Sequence, residues 1–469
     1  MVRKFLPSNA VDTKEVYEER VKAASYRPYV GSIVDFYASM LFASSFAVRA
    51  SVDGEHATNI DAFYSDLKED CDGNGTDLSA FMKDRFTQAL IKRAAYWVVE
   101  LPRDASEAPA VTKTEWNERG LGRATLRAID AECVTDWESD DDGHYEWLKT
   151  YEKTMRRASP EDESVKCVET WRIYFKDRVD VYQISYDPSK PPKPKDAVPR
   201  VDSYDHGFAC VPVMSLCLPE GLWLLDRASD AQLEHFRLSC ALGWSLRKAA
   251  YPFGVFYLEN ADKPPVIGRG LGCTLSKEDE FEWAEPKCSS ISVLSEEVKA
   301  QKDEIYRVSQ QMAMSADASA GALGRSGLSK MADQDAQAVC LRGYAQYVRE
   351  AIEATYELIS DARGDTDVTF SVEGMSQFST DDVAALVEAA TKVQGLGIES
   401  PTLLGELYMR IANALLTGDV DQKQKDKIKD EIMASVGVMH GESRTGEPST
   451  LGGESENDRA NGAQPTKAR

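Results

Sequence analysis

The sequence predicts an α+β fold that is mainly helical and contains one antiparallel β meander. Apolar residues recur every three or four positions over several long segments, as they do on one face of a helix. A stretch from about residue 124 to 186 is instead rich in Val, Ile, Tyr, Trp and Thr and is broken by turn residues. That composition is typical of antiparallel strands. A chain of 469 residues can hold about two to four domains.

The charge and the cysteines exclude several classes of protein. The formal net charge is −23, whereas proteins that grip nucleic acid present basic patches, because phosphate contacts dominate their affinity. An acidic surface is compatible with DNA that slides past it, because attraction there would act as friction. The nine cysteines include no Cys-x-x-Cys pair, so we expect free thiols and neither a disulfide framework nor a zinc site.

The N-terminal part is predicted to be helical up to about residue 50. The apolar segment 29–48 carries Asp35 in its middle, and a carboxylate is costly inside a lipid bilayer. We therefore expect a buried helix of a soluble protein made in the cytoplasm, without a membrane span or a signal peptide. Helical spacing over 78–91 then leads to the strand-like "YWVVELP".

The second half of the chain has a regular order of predicted elements. Helices over 229–252 and 294–312 bracket a short, turn-rich insertion at 253–293, and a small-residue stretch follows at 313–326. The longest helical pattern covers 329–363, with Gly343 inside it as a bend or close-packing point and Gly364 as a C-cap residue. A strand, "DVTFSVEG", and further helices lead to a polar tail at 441–469 that we expect to be disordered.

One motif resembles a metal site. In "DCDGNGTDLSAF", Asp70, Asp72 and Asn74 occupy positions 1, 3 and 5 of a calcium loop, but Phe81 stands where the bidentate Glu should be. We expect an Asp/Gly turn that caps the following helix, and a weak calcium site is the alternative. The sequence contains no recognisable catalytic constellation or cofactor motif, so we expect neither enzymatic activity nor a cofactor.

The order of helix, small insertion, helix, small-residue loop and long helix resembles the core of the portal (head-to-tail connector) proteins of tailed bacteriophages. The likeness is strongest over 304–364, where "IYRVSQQM", "SADASAGALGR" and "SGLSKM" lead into the long helix. "GNGTDLSAFMKDRFTQALIKRAAYWVVELP" is similar to a segment of one portal subfamily. "VTDWESDDDGHYEWL" is similar to the β hairpin of the portal wing region.

The resemblance implies a portal-like fold with a mainly helical wing, a β meander, two stem helices, a small α/β clip and a long wing helix. It assigns the wing to 1–228, with the meander at about 124–186, and to 327–400, with the long helix at 329–363. It assigns the stem helices to 229–252 and 294–312, the clip to 253–293 and the tunnel loop to 313–326. A crown-like helical region would occupy 401–440, before the tail at 441–469.

The resemblance also implies a non-enzymatic homo-oligomeric ring, typically a dodecamer, at a capsid vertex of the virion, assembled in the host bacterial cytoplasm. Double-stranded DNA would pass through it during packaging and ejection. Its partners would be the major capsid protein, the terminase large subunit and the head-tail adaptor, with no membrane. The implied DNA-channel residues are Asp317, Ser319, Gly321, Leu323, Gly324 and Arg325. The implied docking residues of the clip, for terminase and adaptor, are Lys263, Arg269, Lys277 and Glu278.

Three alternatives remain open from the residues alone. The first is that the stretch 313–326 is an ordinary surface loop with no DNA near it. The second is that the chain is a calcium-binding or hydrolytic soluble protein that uses Asp70, Asp72 and Asn74. The third is that the chain is an interaction scaffold without a DNA channel.

Overall fold

The structure is a computed structural model, and its helices and antiparallel sheets confirm the α+β class. It divides into two compact units, Met1–Phe378 and Ser379–Arg469. The structure describes residues 2–8, 12–52, 55–56, 64, 66–102, 112, 114–115, 123–157, 159–161, 164–193, 197–249, 253–257, 280–284, 289–309, 327–365, 367–375, 383–395, 400–415, 424, 427–428, 430–432 and 434.

Helices and strands are interspersed along the first unit. Its described helices, in chain order, are α1 Val2–Phe5, α2 Lys14–Ala23, α3 Tyr29–Leu41, α4 Leu78–Lys92, α5 Leu224–Ala249, α6 Ser289–Val308 and α7 Gly327–Arg363. Its described strands are β1 Ala47–Val52, β2 Glu55–His56, β3 Ala94–Glu100, β4 Thr125–Ile129, β5 Val134–Ser139, β6 Tyr145–Arg157, β7 Val165–Phe175, β8 Arg178–Tyr186, β9 Arg200–Asp205, β10 Val213–Cys217, β11 Phe253–Tyr257, β12 Glu280–Ala284 and β13 Val368–Glu373.

The larger hydrophobic core is built around α3, α4 and α7. In α7 the buried side chains step by three and four positions, which puts them on one face of the helix: Leu341, Tyr344, Ala345, Val348, Ile352, Tyr356 and Ile359. Trp97 of β3 is fully buried against this face, and its indole N–H donates to Thr355 Oγ1 at 3.3 Å. A buried indole usually finds such a partner, so this bond fixes β3 against α7.

The helix predicted for the apolar N-terminal segment is shorter than the sequence suggested. It ends at Leu41, and the last residues of the segment belong instead to strand β1. β1 pairs antiparallel with β13, from Ala47 opposite Glu373 to Val52 opposite Val368. A partner more than 300 residues away therefore decides the conformation of residues 47–52, and no local pattern predicts it.

The β meander is also displaced from its predicted range. Residues 125–129 form β4, which pairs with β3 in a separate three-stranded sheet of order β10-β3-β4. The meander itself has five strands in the order β5-β6-β7-β8-β9 and extends to Asp205. Its inner face carries Leu148 and Tyr174 into a second, smaller hydrophobic core. The composition predicted strands in this region, but the choice between two sheets depends on tertiary packing.

The long helix lies where the sequence predicts it. It spans 37 residues, Gly327–Arg363, and Gly364 follows with φ of +67°, the left-handed conformation expected at such a C-cap. Gly343 has room for a Cβ, which would lie 3.5 Å from Leu222 Cδ1, an ordinary van der Waals distance. Beside it, the Tyr344 hydroxyl donates to the Leu222 carbonyl at 2.9 Å.

The second unit contains two described helices, α8 Val383–Gly395 and α9 Pro401–Leu415, which pack against each other. Ala390 and Leu404 are buried. The polar tail at 441–469 lies outside the described residues.

Candidate functional site

Helices α5 and α6 form a helical hairpin whose far end carries a two-stranded sheet. β11 follows α5, β12 precedes α6, and the strands pair antiparallel with Phe253 opposite Ala284. This pairing brings the end of α5 next to the start of α6, so the two packed helices run in opposite directions. At about 1.5 Å rise per residue, α5 and α6 are about 39 Å and 30 Å long. We call these four elements the hairpin.

The ends of the hairpin helices differ from their predicted ends. α5 begins at Leu224, five residues before the predicted start at 229, and ends at Ala249. α6 begins at Ser289 and ends at Val308, whereas the sequence predicted 294–312. The sequence placed the start of α5 at a polar capping residue, but Leu224 and Ala228 are buried in the main core and extend the helix backwards.

The base of the hairpin is attached to α3. Gln232 of α5 is buried, and its side-chain oxygen accepts the backbone N–H of Val30 at 3.2 Å. Just past the end of α6, the Ser309 carbonyl accepts a hydrogen bond from the buried Tyr37 hydroxyl of α3 at 2.6 Å. Helix α3 therefore contacts both legs, and α2 and α4 also pack against α5. We call the contacts of residues 228–236 and 302–309 with α3 the hairpin root.

The outer half of the hairpin has no core of its own. From Arg237 to Ala249 and from Ser290 to Glu304, none of the residues whose burial the structure describes is buried. Leu246 is 48% exposed and Val293 is 64% exposed. Next to the root, Arg237 Nε still donates to the Phe5 carbonyl at 3.3 Å, and Cys240 Sγ lies 4.0 Å from the Ser25 carbonyl oxygen. Beyond these two contacts, the described side chains of the outer half are at least partly exposed, so they leave surface available to a neighbour.

The two flanks of this outer half carry different charges. On α5 the described charged side chains there are Arg247 and Arg237, of which Arg237 lies 3.7 Å from the Glu234 carboxylate. On α6 acidic residues predominate: Glu296, Glu297, Asp303 and Glu304, with Lys299 and Lys302 among them. Hydrogen bonds from Arg307 hold the pKa of the Glu304 carboxyl below its ordinary value, so that carboxyl stays ionised.

The channel and clip residues inferred from the resemblance lie outside the described residues. This holds for Asp317, Ser319, Gly321, Leu323, Gly324 and Arg325 and for Lys263, Arg269, Lys277 and Glu278. The described chain does give the point from which the stretch 310–326 starts, because Ser309 is buried at the hairpin root. The stretch thus connects the root to the first residue of α7, Gly327.

The residues of the calcium-like motif are brought together in a turn. Asp72 Oδ1 accepts the backbone N–H groups of Asn74 at 2.9 Å and Thr76 at 3.2 Å. Asp70 Oδ1 accepts the N–H of Gly75 at 2.9 Å. The bonds from Asn74 and Thr76 hold the pKa of Asp72 below its ordinary value. This is the arrangement of an Asp/Gly turn, in which carboxylate oxygens satisfy backbone donors.

The turn leads directly into α4. Asp77 is the N-cap residue of that helix, and its carboxylate accepts the N–H of Ala80 at 2.8 Å. Among the described residues, no group of three or more His, Cys, Asp or Glu side chains is placed to hold a metal ion. In the same part of the chain, no helix is long and apolar enough to cross a membrane.

Sequence reasoning missed the hairpin root. The signal was present in α5, where Leu224, Ala228, Gln232 and Phe236 recur every four residues. Gln232 is polar, so it interrupts the apolar periodicity of the sequence. The structure nevertheless buries it on the same face as the apolar residues. A search that allowed one polar residue per buried stripe would have found this face.

Comparison with protein-family models gives no match, and comparison with curated proteins gives none either. Among solved structures, the chain is similar to a chain of the neck of an empty GTA particle computed with C6 symmetry, at 14% sequence identity. The match covers 79% of this chain and 86% of that chain, with a TM-score of 0.41. A likeness this distant carries no argument about this chain.

Proposed function

We propose that the chain is a portal subunit, which forms a homo-oligomeric ring at a capsid vertex and gives DNA a passage during packaging and ejection. The observation that carries this proposal is the hairpin, whose outer half has no core of its own. Leu246 and Val293 are exposed apolar side chains of this outer half, and we propose that a second copy of the chain covers them.

The charges of the hairpin favour a head-to-tail contact between copies. A cationic α5 flank of one copy matches the predominantly acidic α6 flank of the next. A contact between two different flanks repeats around an axis and closes into a ring when the rotation permits. The proposed ring is a dodecamer, by resemblance to portal proteins.

Two further features support a DNA passage. The net charge of −23 limits adhesion between the ring and the phosphate backbone. The stretch 310–326 begins at the hairpin root, where a stem helix joins the body of the subunit, and the resemblance assigns the tunnel loop to 313–326. We propose that this loop faces DNA and that Arg325 meets phosphate transiently.

The proposed role is not enzymatic, and it requires no cofactor. A separate terminase supplies the work of packaging and docks at the clip, 253–293. The head-tail adaptor later takes the same position, and the major capsid protein surrounds the wing. The proposed place of action is the virion, after assembly in the host bacterial cytoplasm.

The test is the assembly state of the purified full chain and of paired variants. Native mass spectrometry and electron microscopy should give a ring of about a dozen subunits with a central hole. Leu246→Asp combined with Val293→Asp should break the ring, because each copy would then bury two charges at the contact. We expect the subunit concentration at half-assembly to rise at least about tenfold, which corresponds to about 1.4 kcal/mol.

The matched control is Trp137→Asp, which changes a similarly exposed side chain on β5 of the meander. This variant should assemble as the unmodified chain does. Rings that form equally well with both hairpin substitutions would contradict the proposal, as would a chain that stays monomeric at the concentrations reached in an infected cell.

A further inference from the structure

A buried histidine at the hairpin root has a ring nitrogen to which the described part of the chain offers no hydrogen-bond partner. His235 of α5 is 1% exposed. Its Nε2 lies 3.4 Å from the Ser239 hydroxyl, and its Nδ1 has no partner among the described residues. Buried polar atoms are nearly always hydrogen-bonded, so this ring is an exception that requires an explanation.

The ring of His235 lies where α3, α5 and α6 meet. The ring of Tyr29, the first residue of α3, meets it edge to face, with centroids 5.0 Å apart and an interplanar angle of 86°. Tyr29 in turn contacts Tyr306 of α6, with ring centroids 6.1 Å apart. One turn before His235, the Gln232 side chain donates to the Arg27 carbonyl at 3.0 Å. His235 thus adjoins the bonds that attach the hairpin to the body.

The charged groups that act on the ring from its neighbouring elements are cations. Arg27 precedes α3, and Lys302 lies on α6. On α5 itself, the nearby Glu234 carboxylate lies 3.7 Å from Arg237. Burial, and then Arg27 and Lys302, lower the pKa of His235 below its ordinary value. Protonation of His235 would add a third positive charge beside Arg27 and Lys302, which repel it.

We propose that His235 is a pH-sensitive latch whose protonation loosens the hairpin from α3 while the part of the main core around α7 stays closed. Above about pH 6.5, the ordinary pKa of histidine, the ring is neutral whether the root is closed or open, and the root keeps its full stability. As the pH falls from there towards the lowered pKa, the open root takes up the proton more readily than the closed one. The closed root therefore loses stability across this window. The proposal does not rest on the portal function.

The test is amide hydrogen exchange of the full chain, followed by mass spectrometry between pH 7.5 and 5.0 and corrected for the intrinsic pH dependence of exchange. Peptides that cover the root, 228–236 and 302–309, should open more often as the pH falls. The rise should be up to about tenfold for each unit by which the pKa of His235 is lowered. Peptides that cover 344–356 of α7, in the main core, should show no such rise.

Two variants separate His235 from other titrating groups. His235→Phe keeps an aromatic ring beside Tyr29 and removes the titration, so its root should exchange equally at both ends of the pH range. His144→Gln removes an exposed imidazole from the turn between β5 and β6 and should behave as the unmodified chain does.

Either of two results would overturn the latch. One is a rise that persists in His235→Phe. The other is corrected exchange in the unmodified chain that changes with pH equally at the root and in the core. The second comparison needs no variant, so it can overturn the latch even if His235→Phe fails to fold.

Discussion

At the scale of single residues, two glycines of the first unit show how surroundings decide the effect of an added methyl group. Gly343 lies inside α7 with a normal helical backbone, and the nearest atom to an added Cβ is Leu222 Cδ1 at 3.5 Å. Gly374 follows β13 with φ of +105°, and an added Cβ would lie 3.2 Å from Phe46 Cα and from the Ser45 carbonyl oxygen. The first position has room for a side chain and the second has none.

We expect Gly343→Ala to stabilise the first unit by about 0.5–1 kcal/mol. Alanine is favoured over glycine inside a helix by about this amount, and a contact of 3.5 Å is ordinary van der Waals packing. Urea unfolding followed by circular dichroism should show the midpoint move to higher urea with an unchanged slope.

Gly374→Ala is the matched control, because it adds the same methyl group at a backbone angle that other residues rarely adopt. It should destabilise the unit by about 1–3 kcal/mol. Equal shifts of the two midpoints, in either direction, would show that local backbone geometry does not govern these sites.

Residue-level sequence reasoning was most accurate where a local rule applies. Gly364 has the left-handed conformation of a helix C-cap, and Asp70 and Asp72 form the predicted turn. His235 could not have been found in this way, because its importance comes from Tyr29, Arg27 and Lys302, which are distant in sequence. Local rules identify caps and turns, whereas the environment of a buried histidine depends on the assembled fold.

At the scale of elements, one buried hydrogen bond contributes to the attachment of α6 to α3, beside the ring contact of Tyr29 with Tyr306. The Tyr37 hydroxyl donates to the Ser309 carbonyl at 2.6 Å, just past the end of the helix. Phenylalanine at this position keeps the ring packing of Tyr37 and deletes only the hydroxyl. The buried Ser309 carbonyl then loses this hydrogen-bond donor. Such a loss costs about 1–2 kcal/mol.

We therefore expect Tyr37→Phe to raise amide exchange in the last turns of α6, residues 302–309, by about five- to thirtyfold, as a loss of about 1–2 kcal/mol implies. Hydrogen exchange at pH 7.5, where His235 is neutral, measures this directly. Tyr344→Phe serves as the control, since it deletes a hydroxyl that donates to Leu222 at 2.9 Å. It should loosen α7 near Leu222 and leave α6 unchanged, so a similar rise in α6 for both variants would refute the assignment.

The sequence predicted the existence of the major elements better than their ends. The 37-residue helix and both hairpin legs are present, because long apolar stripes of period 3.6 have few alternative explanations. The start of α5 was misplaced because burial of Leu224 in the main core extends the helix beyond its polar capping signal. Tertiary contacts, which a single sequence does not display, set such boundaries.

At the scale of the whole molecule, both hydrophobic cores of the first unit lie within residues 30–375. The second unit begins at Ser379 and contains α8 and α9, which pack together. A unit whose cores are complete within its own residues has what independent folding requires.

We expect a chain of residues 1–378 to fold on its own. Its midpoint of thermal unfolding should lie within about 5 °C of that of the first transition of the full chain, since the described residues of both cores of the first unit are all kept. Differential scanning calorimetry compares the two. An expanded 1–378 chain that exposes apolar surface and lacks a cooperative transition would show that the second unit is part of the folding unit.

The α+β class followed from composition and periodicity, but the pairing of the strands within the sheets did not. β1 and β13 both contain ordinary strand-forming residues, and neither sequence indicates that the two strands pair with each other. The displaced meander has the same origin, because β4 has the composition of a meander strand and pairs with β3 instead.

The pairing of β1 with β13 has a consequence for biosynthesis. β1 leaves the ribosome early, but its neighbour in the sheet, Val368–Glu373, follows more than 300 residues later. At a translation rate of about 5–20 residues per second, the nascent chain waits roughly 15–65 s before that sheet can close. The apolar α3 also waits, because its partners on α5, α6 and α7 are synthesised one after another within this interval, and its buried face stays exposed until they arrive.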